Sequence, residues 1–128
     1  MDRSVLDASA IIAVLDREPG YDKLTLQILG CAVTSAVNVA EVQTVLVNRG
    51  MAPDDAWRNA CSPVRDVVDF TADQARIAGT LVNQTRPLGL SLGDRACLAL
   101  GINLGVPIYT ADRAWKKLKA GVEVRLLR

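Results

Sequence analysis

The stretch Ser4-Val5-Leu6-Asp7-Ala8-Ser9-Ala10-Ile11-Ile12-Ala13-Val14-Leu15 changes its habit at Asp7. Up to that residue it reads as a short buried strand, and beyond it as a helical run interrupted by Pro19-Gly20. A strand that feeds straight into a helix is the opening half of a βαβ unit. The pattern then repeats outward. Tyr21, Leu24 and Ile28 recur at helical spacing with Gly30 as a C′ stop, and Cys31-Ala32-Val33-Thr34 predicts a second strand. A helix follows from about Ala36 to Asn48, closing at Gly50. Pro53 at a first helical position, with Asp54 and Asp55 behind it, opens a short helix that carries Trp57 and ends before Pro63. Val67, Val68 and Phe70 mark a third strand, and Thr71-x-x-Gln74 a capping box for a helix to about Gln84. After Pro87 and Gly89, Ser91-x-x-Asp94 opens a helix to about Leu104. Pro107-Ile108-Tyr109-Thr110 is a fourth strand, with proline tolerated at its first residue. A short basic helix, Arg113 to Lys119, and a last strand, Val122 to Leu126, complete the order. Strands alternating with helices predict an α/β fold with a mostly parallel sheet covered on both faces.

Composition narrows the function classes. At 128 residues and 50% hydrophobic, the chain has the material for one packed core, so residues 1–128 are expected to form a single domain without linker or repeats. Three cysteines, Cys31, Cys61 and Cys97, lie far apart without a C-x-x-C pair, which argues against a disulfide framework or a thiolate zinc site. The start, MDRSVLDAS, lacks the basic and apolar regions of a signal peptide, and no apolar run has the length of a membrane span. A cytoplasmic location is the expectation. Histidine is absent altogether, which removes Ser-His, Cys-His and ordinary zinc catalysis. Chemistry is left to carboxylates, hydroxyls, Arg and Lys, or to a metal held by oxygen. The net charge of +1 announces no nucleic-acid binder, although eleven of the fifteen basic residues are arginine, suited to bidentate contacts with phosphate or carboxylate.

Most acids stand in polar company, but Asp7, Glu41, Asp94 and Asp112 do not. Asp7 and Asp112 each follow a strand end, where an ordinary N-cap would also account for them. Glu41 shares an apolar helical stripe with Val37 and Val45, and Asp94 shares a face with Cys97, Leu98 and Gly101, so both are expected to point inward. Asp94 is also explained by its capping box with Ser91. In an open parallel sheet, residues just beyond the C-terminal strand ends gather in one crevice. Four carboxylates gathered there repel, by roughly 3 kcal/mol per pair at ~5 Å and an effective dielectric of ~20. A hard cation, Mg²⁺ or Mn²⁺, relieves that repulsion with the oxygen ligands this composition offers. Carboxylate-held Mg²⁺ most often works on phosphate esters. Ser9 and Thr110, two residues from Asp7 and Asp112, offer hydroxyls for orienting an acid or a water, or simply for local capping.

Val5-Leu6-Asp7-Ala8-Ser9, Asn38-Val39-Ala40-Glu41-Val42, the segment from Leu90 through Asp94-Arg95-Ala96-Cys97 to Leu100, and Tyr109-Thr110-Ala111-Asp112-Arg113-Ala114-Trp115 together resemble PIN-domain ribonucleases. Within that family the likeness is to the VapC-like toxins of type II toxin–antitoxin pairs, and it runs over essentially the whole chain. The resemblance implies a three-layer α/β/α sandwich and a Mg²⁺- or Mn²⁺-dependent endoribonuclease that cuts RNA phosphodiester bonds. It also implies a homodimer, or a larger toxin–antitoxin assembly, neutralised by a cognate antitoxin. Carried onto this sequence, Asp7, Glu41, Asp94 and Asp112 form the acidic site, with Asp7, Asp94 and Asp112 facing the metal. Glu41 then holds water or acts as base, and Ser9 and Thr110 are polar auxiliaries. In-line attack at phosphorus would leave 3′-hydroxyl and 5′-phosphate ends. Arg95, Arg113, Lys116, Lys117 and Lys119 are candidates for phosphate contact, the alternative being a solvated basic face. Trp57 and Trp115 either stack on bases or pack in a core or interface.

Three other readings compete. A haloacid-dehalogenase-like phosphatase would use Asp7 as nucleophile but expects D-x-D, and here Ser9 holds the second place. A signalling receiver domain would phosphorylate a mid-chain acid such as Asp69, but its early acidic pair and late Lys-Pro are missing. A non-catalytic PIN-like interaction module has no need of the four intact acids.

Overall fold

Every strand pairing in the sheet is parallel. The computed structural model describes residues 2–128. Its strands are β1 (Ser4–Leu6), β2 (Ala32–Ser35), β3 (Asp66–Val68), β4 (Ile108–Thr110) and β5 (Val124–Leu126), in the spatial order β3-β2-β1-β4-β5. The helices are α1 (Ala8–Asp16), α2 (Leu26–Leu29), α3 (Ala36–Asn48), α4 (Pro53–Cys61), α5 (Ala72–Thr80), α6 (Val82–Thr85) and α7 (Leu92–Leu104). The expected α/β sandwich is what the chain forms.

Alternation along each strand sends side chains to two separate cores. Leu6, Ala32, Tyr109 and Leu127 pack with Ala10, Ile11, Val39, Val42, Leu46 and Ala60 from α1, α3 and α4. Val5, Val33 and Ile108 pack on the other face with Leu81, Cys97, Leu98, Leu100 and Trp115. The chain order reverses direction across the sheet at β1, which lies between β2 and β4. The C-terminal ends of β1 and β4 are therefore the switch point, where a doubly wound sheet opens its crevice. Asp7 leaves β1 there and Asp112 leaves β4 there.

Some local expectations are corrected. Gly30 ends α2 in the right-handed region (φ −64°), because the turn into β2 is made by tight backbone bonds to Leu26 and Ile28 rather than by a left-handed cap. The Thr71 motif is half a capping box: the Thr71 hydroxyl accepts from the Gln74 N–H, but Gln74 Oε1 is buried without a partner among the described residues. The helix expected to reach Gln84 breaks at Leu81. There the Ala78 carbonyl accepts from the Leu81 N–H, an i→i+3 bond, and also takes a guanidinium N–H from Arg95. The basic segment after Asp112 is a 3₁₀ turn, Arg113–Lys117, too short for an α-helix before Leu118 turns extended.

Candidate active site

Asp7 is the best-held acid. It caps α1, one oxygen accepting from the Ala10 N–H (2.8 Å) and the Ser9 hydroxyl (2.7 Å), the other from the Thr110 hydroxyl (2.5 Å). The two hydroxyls are also tied to β4's exit: Ser9 Oγ accepts from the Ala111 N–H and Thr110 Oγ1 from the Asp112 N–H. Strand β1, helix α1 and the end of β4 are thereby locked around one carboxylate. Asp7 is only 4% exposed. Burial pushes its carboxyl up to about 6, against the pull of the Thr110, Ser9 and Ala10 hydrogen bonds, and the Asp94 charge adds a smaller push.

Both readings offered for Ser9 and Thr110 thus meet in the same atoms, which cap locally and orient Asp7. Replacing Thr110 by Val removes the stronger of the two hydroxyl bonds that favour the charged form. The Asp7 titration is then expected to move above its value of about 6, read from its side-chain carboxyl signal by ¹³C NMR across pH. An unchanged midpoint would mean that Thr110 does not set Asp7's charge state.

Glu41 and Asp94 flank this centre, both half-buried. Glu41 lies against the first turn of α7: a Cβ added to Gly93 would stand 2.5 Å from the Glu41 Cδ and Oε1. The Asn38 amide donates to Glu41 Oε1 (2.8 Å) and to the Gly93 carbonyl (3.0 Å), stapling α3 to α7. Asp94 completes a full capping box, its Oδ2 accepting from the Ser91 N–H at 2.8 Å. The cap takes one oxygen, and the Asp94 charge still acts on Asp7 and Cys97, so the capping role and a place beside Asp7 coexist in this residue. Cys97, buried beneath, feels Asp7, Asp94 and Glu41; burial first and then these charges push its thiol well above the ordinary range, so it stays protonated.

Asp112 is a neighbour of another kind. Its carboxylate accepts from the Ala114 N–H, capping the 3₁₀ turn, while its own N–H reaches the Thr110 hydroxyl. Among the described residues no three acid or cysteine side chains close on a single point. The acids are adjacent, and burial of Asp7 contributes more than mutual repulsion to the electrostatic tension expected there. A hard cation fits that donor chemistry: all oxygen, with one buried carboxylate whose charge it would neutralise.

The basic candidates divide. Arg113, Lys116 and Lys117 are exposed beside Asp112, whereas Arg95 spends a guanidinium N–H on the Ala78 carbonyl (3.0 Å). Trp115 is 1% exposed and belongs to the core, while Trp57 is 42% exposed on α4. Asp69, the receiver-type alternative, is exposed just beyond β3, and β2 lies between that strand and β1. Asn38 and Gly93 have no role in the sequence reading. Two signals point to them: an amide one turn before Glu41 on the same helix, and a glycine inside a first helical turn, where it is otherwise unfavourable.

The family model of the PIN domain matches residues 4–121. Among curated proteins no match was found. Solved structures are similar over nearly their whole lengths. A DNA-bound VapBC from Salmonella typhimurium aligns with TM-score 0.75 at 15% identity, over 100% of both chains. FitAcB from Neisseria gonorrhoeae gives TM-score 0.69 at 17% identity, over 97% of each. Mycobacterium tuberculosis VapC20, a Sarcin-Ricin loop cleaving toxin, gives 0.70 at 21%, over 88% of this chain and 92% of that one. At such identities the likeness speaks for the fold. Among the described residues no helix is long and apolar enough to cross a membrane.

Proposed function

This chain belongs to the PIN-domain family, and from that membership we propose that it is a divalent-metal-dependent endoribonuclease toxin held in check by a cognate antitoxin. The observation that carries the reading is Asp7, buried at the sheet's switch point, fastened by three hydrogen bonds and flanked by Glu41 and Asp94. A fold maintains an ionisable group in such a place at a cost in stability, and catalytic sites are where that cost recurs.

Asp7, Asp94 and Asp112 would hold Mg²⁺ or Mn²⁺. When bound, the cation supplies Lewis acidity toward a phosphodiester and toward water. The remaining work falls to this chain's own groups. Ser9 and Thr110 keep the Asp7 oxygens from rotating, and Thr110 ties the Asp112 backbone into the same network. Glu41, half-exposed and held by Asn38, would either hold the attacking water or take its proton. Exposed Arg113, Lys116 and Lys117 offer charge to RNA phosphates next to that acidic centre. The antitoxin is supported by the VapBC and FitAcB structures among the neighbours, and the homodimer is carried from the family resemblance alone.

Purified protein incubated with RNA and Mn²⁺ or Mg²⁺ is expected to give internal cuts with 5′-phosphate ends. Cutting should stop with EDTA and return when metal is restored. Cleavage that survives EDTA sinks the metal assignment. A base-labile phosphoryl adduct on Asp7 or Asp69 would replace the nuclease reading with phosphotransfer.

A further inference from the structure

We propose that Asn38 and Gly93 are positioning residues that set the place of the Glu41 carboxylate in the site, an inference that rests on the nuclease reading. Asn38 is 1% exposed on α3, on a helix whose other fully buried residues include Val39 and Val42. Its two contacts, Glu41 Oε1 and the Gly93 carbonyl, are both acceptors. The amide can therefore face them only with its nitrogen. Its oxygen, Oδ1, is left buried with no partner among the described residues. A fold selected for stability alone gains nothing from such an orphan, which is the kind of local violation expected where function sets the side chain.

Gly93 supplies the other half of the cradle. The Glu41 carboxylate occupies the volume that any β-carbon at position 93 would fill. Glycine in a helix's first turns is otherwise a weakness, so its absence of a side chain makes room for that carboxylate. The Gly93 carbonyl anchors the same amide that holds Glu41, so one staple fixes the distance between α3 and the start of α7. Asp94 is the next residue along. Moving either cradle residue therefore moves Glu41 relative to Asp94 and Asp7.

Asn38→Asp keeps the shape but sets an acceptor against two acceptors. Gly93→Ala adds a β-carbon against the end of a flexible side chain, so it displaces Glu41 without breaking the core. The chain has only three glutamates, Glu18, Glu41 and Glu123, so ¹³C-labelled glutamate gives three resolvable carboxyl signals, that of Glu41 identified by its loss in Glu41→Gln. In both variants the Glu41 signal is expected to move while the other two stay. The kcat for RNA cleavage is expected to fall about 10–100-fold, with the RNA KM within about threefold, and half-activation by Mn²⁺ to need about tenfold more metal. Gly93→Ala, with its melting temperature close to wild type, carries the test if Asn38→Asp proves poorly folded. A Glu41 signal unmoved in folded Gly93→Ala overturns the proposal, and so does a moved signal with kcat unchanged. If wild-type protein cuts no RNA, the nuclease reading fails on its own, and the carboxyl signal still decides whether Asn38 and Gly93 hold Glu41.

Discussion

Asp7→Asn is expected to lower RNA cleavage on the order of 10³-fold and, in metal-free protein, to raise the melting temperature. The two effects share one cause. In the folded chain the Asp7 carboxyl is pushed up to about 6 from 3.8, chiefly by burial. A carboxyl whose folded value lies above its unfolded one binds its proton more tightly in the folded state. Stability is then greatest below about pH 4, falls as pH rises, and levels off once pH has passed about 6. A shift of about two units corresponds to about 3 kcal/mol lost by pH 7. Asparagine cannot ionise, so it escapes that loss, less about 1 kcal/mol for one hydrogen bond whose direction must reverse at Thr110. A net gain of about 2 kcal/mol, several degrees in melting temperature, is expected at pH 7. Thermal unfolding of both proteins from pH 4 to pH 8 checks this. The wild-type curve should decline over the interval where that of the Asp7→Asn variant stays flat. A variant that is both inactive and less stable at pH 7 would show that Asp7 is held for structure.

Gly20→Ala is expected to cost about 3–4 kcal/mol, the largest single loss of stability among the glycines with positive φ, and to lower the melting temperature by about 10 °C. Gly20 has φ +92°, where an L side chain is strained by about 1–2 kcal/mol. An added β-carbon would also overlap the Leu127 carbonyl oxygen and lie 2.7 Å from its carbon. These are backbone atoms and have little room to yield. Leu127 is fully buried, its N–H bonded to the Thr110 carbonyl (2.9 Å), and Arg128 donates to the Pro19 carbonyl (3.0 Å). The chain's last residues are thus clamped over the Pro19-Gly20 turn, and strain there reaches the residue whose hydroxyl holds Asp7. Gly50→Ala is the control: its φ is +101°, but nothing stands within 4 Å of an added β-carbon, so only the backbone strain remains. Equal losses in the two variants would show that the Leu127 contact yields freely.

The strand and helix order was legible because each switch of period carries its own punctuation. Asp7 caps α1 as well as ending β1, Ala36–Asn48 has the expected bounds, and Ser91 with Asp94 makes the full capping box. The acids themselves stood out by their apolar company. What sequence did not show was set by partners far along the chain. The Arg95 contact to Ala78 spans 17 residues, at the very carbonyl where the expected long helix breaks in two. Asn38 and Gly93 lie 55 residues apart, so although Asn38 stands one turn before Glu41, the bond that ties this pair to α7 had no local signature. Asp94 satisfies both of its readings at once, one oxygen capping α7 while its charge acts on Asp7 and Cys97, a coexistence that spacing alone does not show.

Titration of Mn²⁺ into metal-free wild type and into Asp7→Asn, followed by calorimetry at pH 6, tests most directly whether the acids at the strand ends act as one cation site. The expected result is saturable uptake by wild type with release of protons, because a carboxyl that titrates near 6 must ionise to bind metal. Uptake should be lost in Asp7→Asn. Identical isotherms for the two proteins, or no uptake by either, would contradict the account.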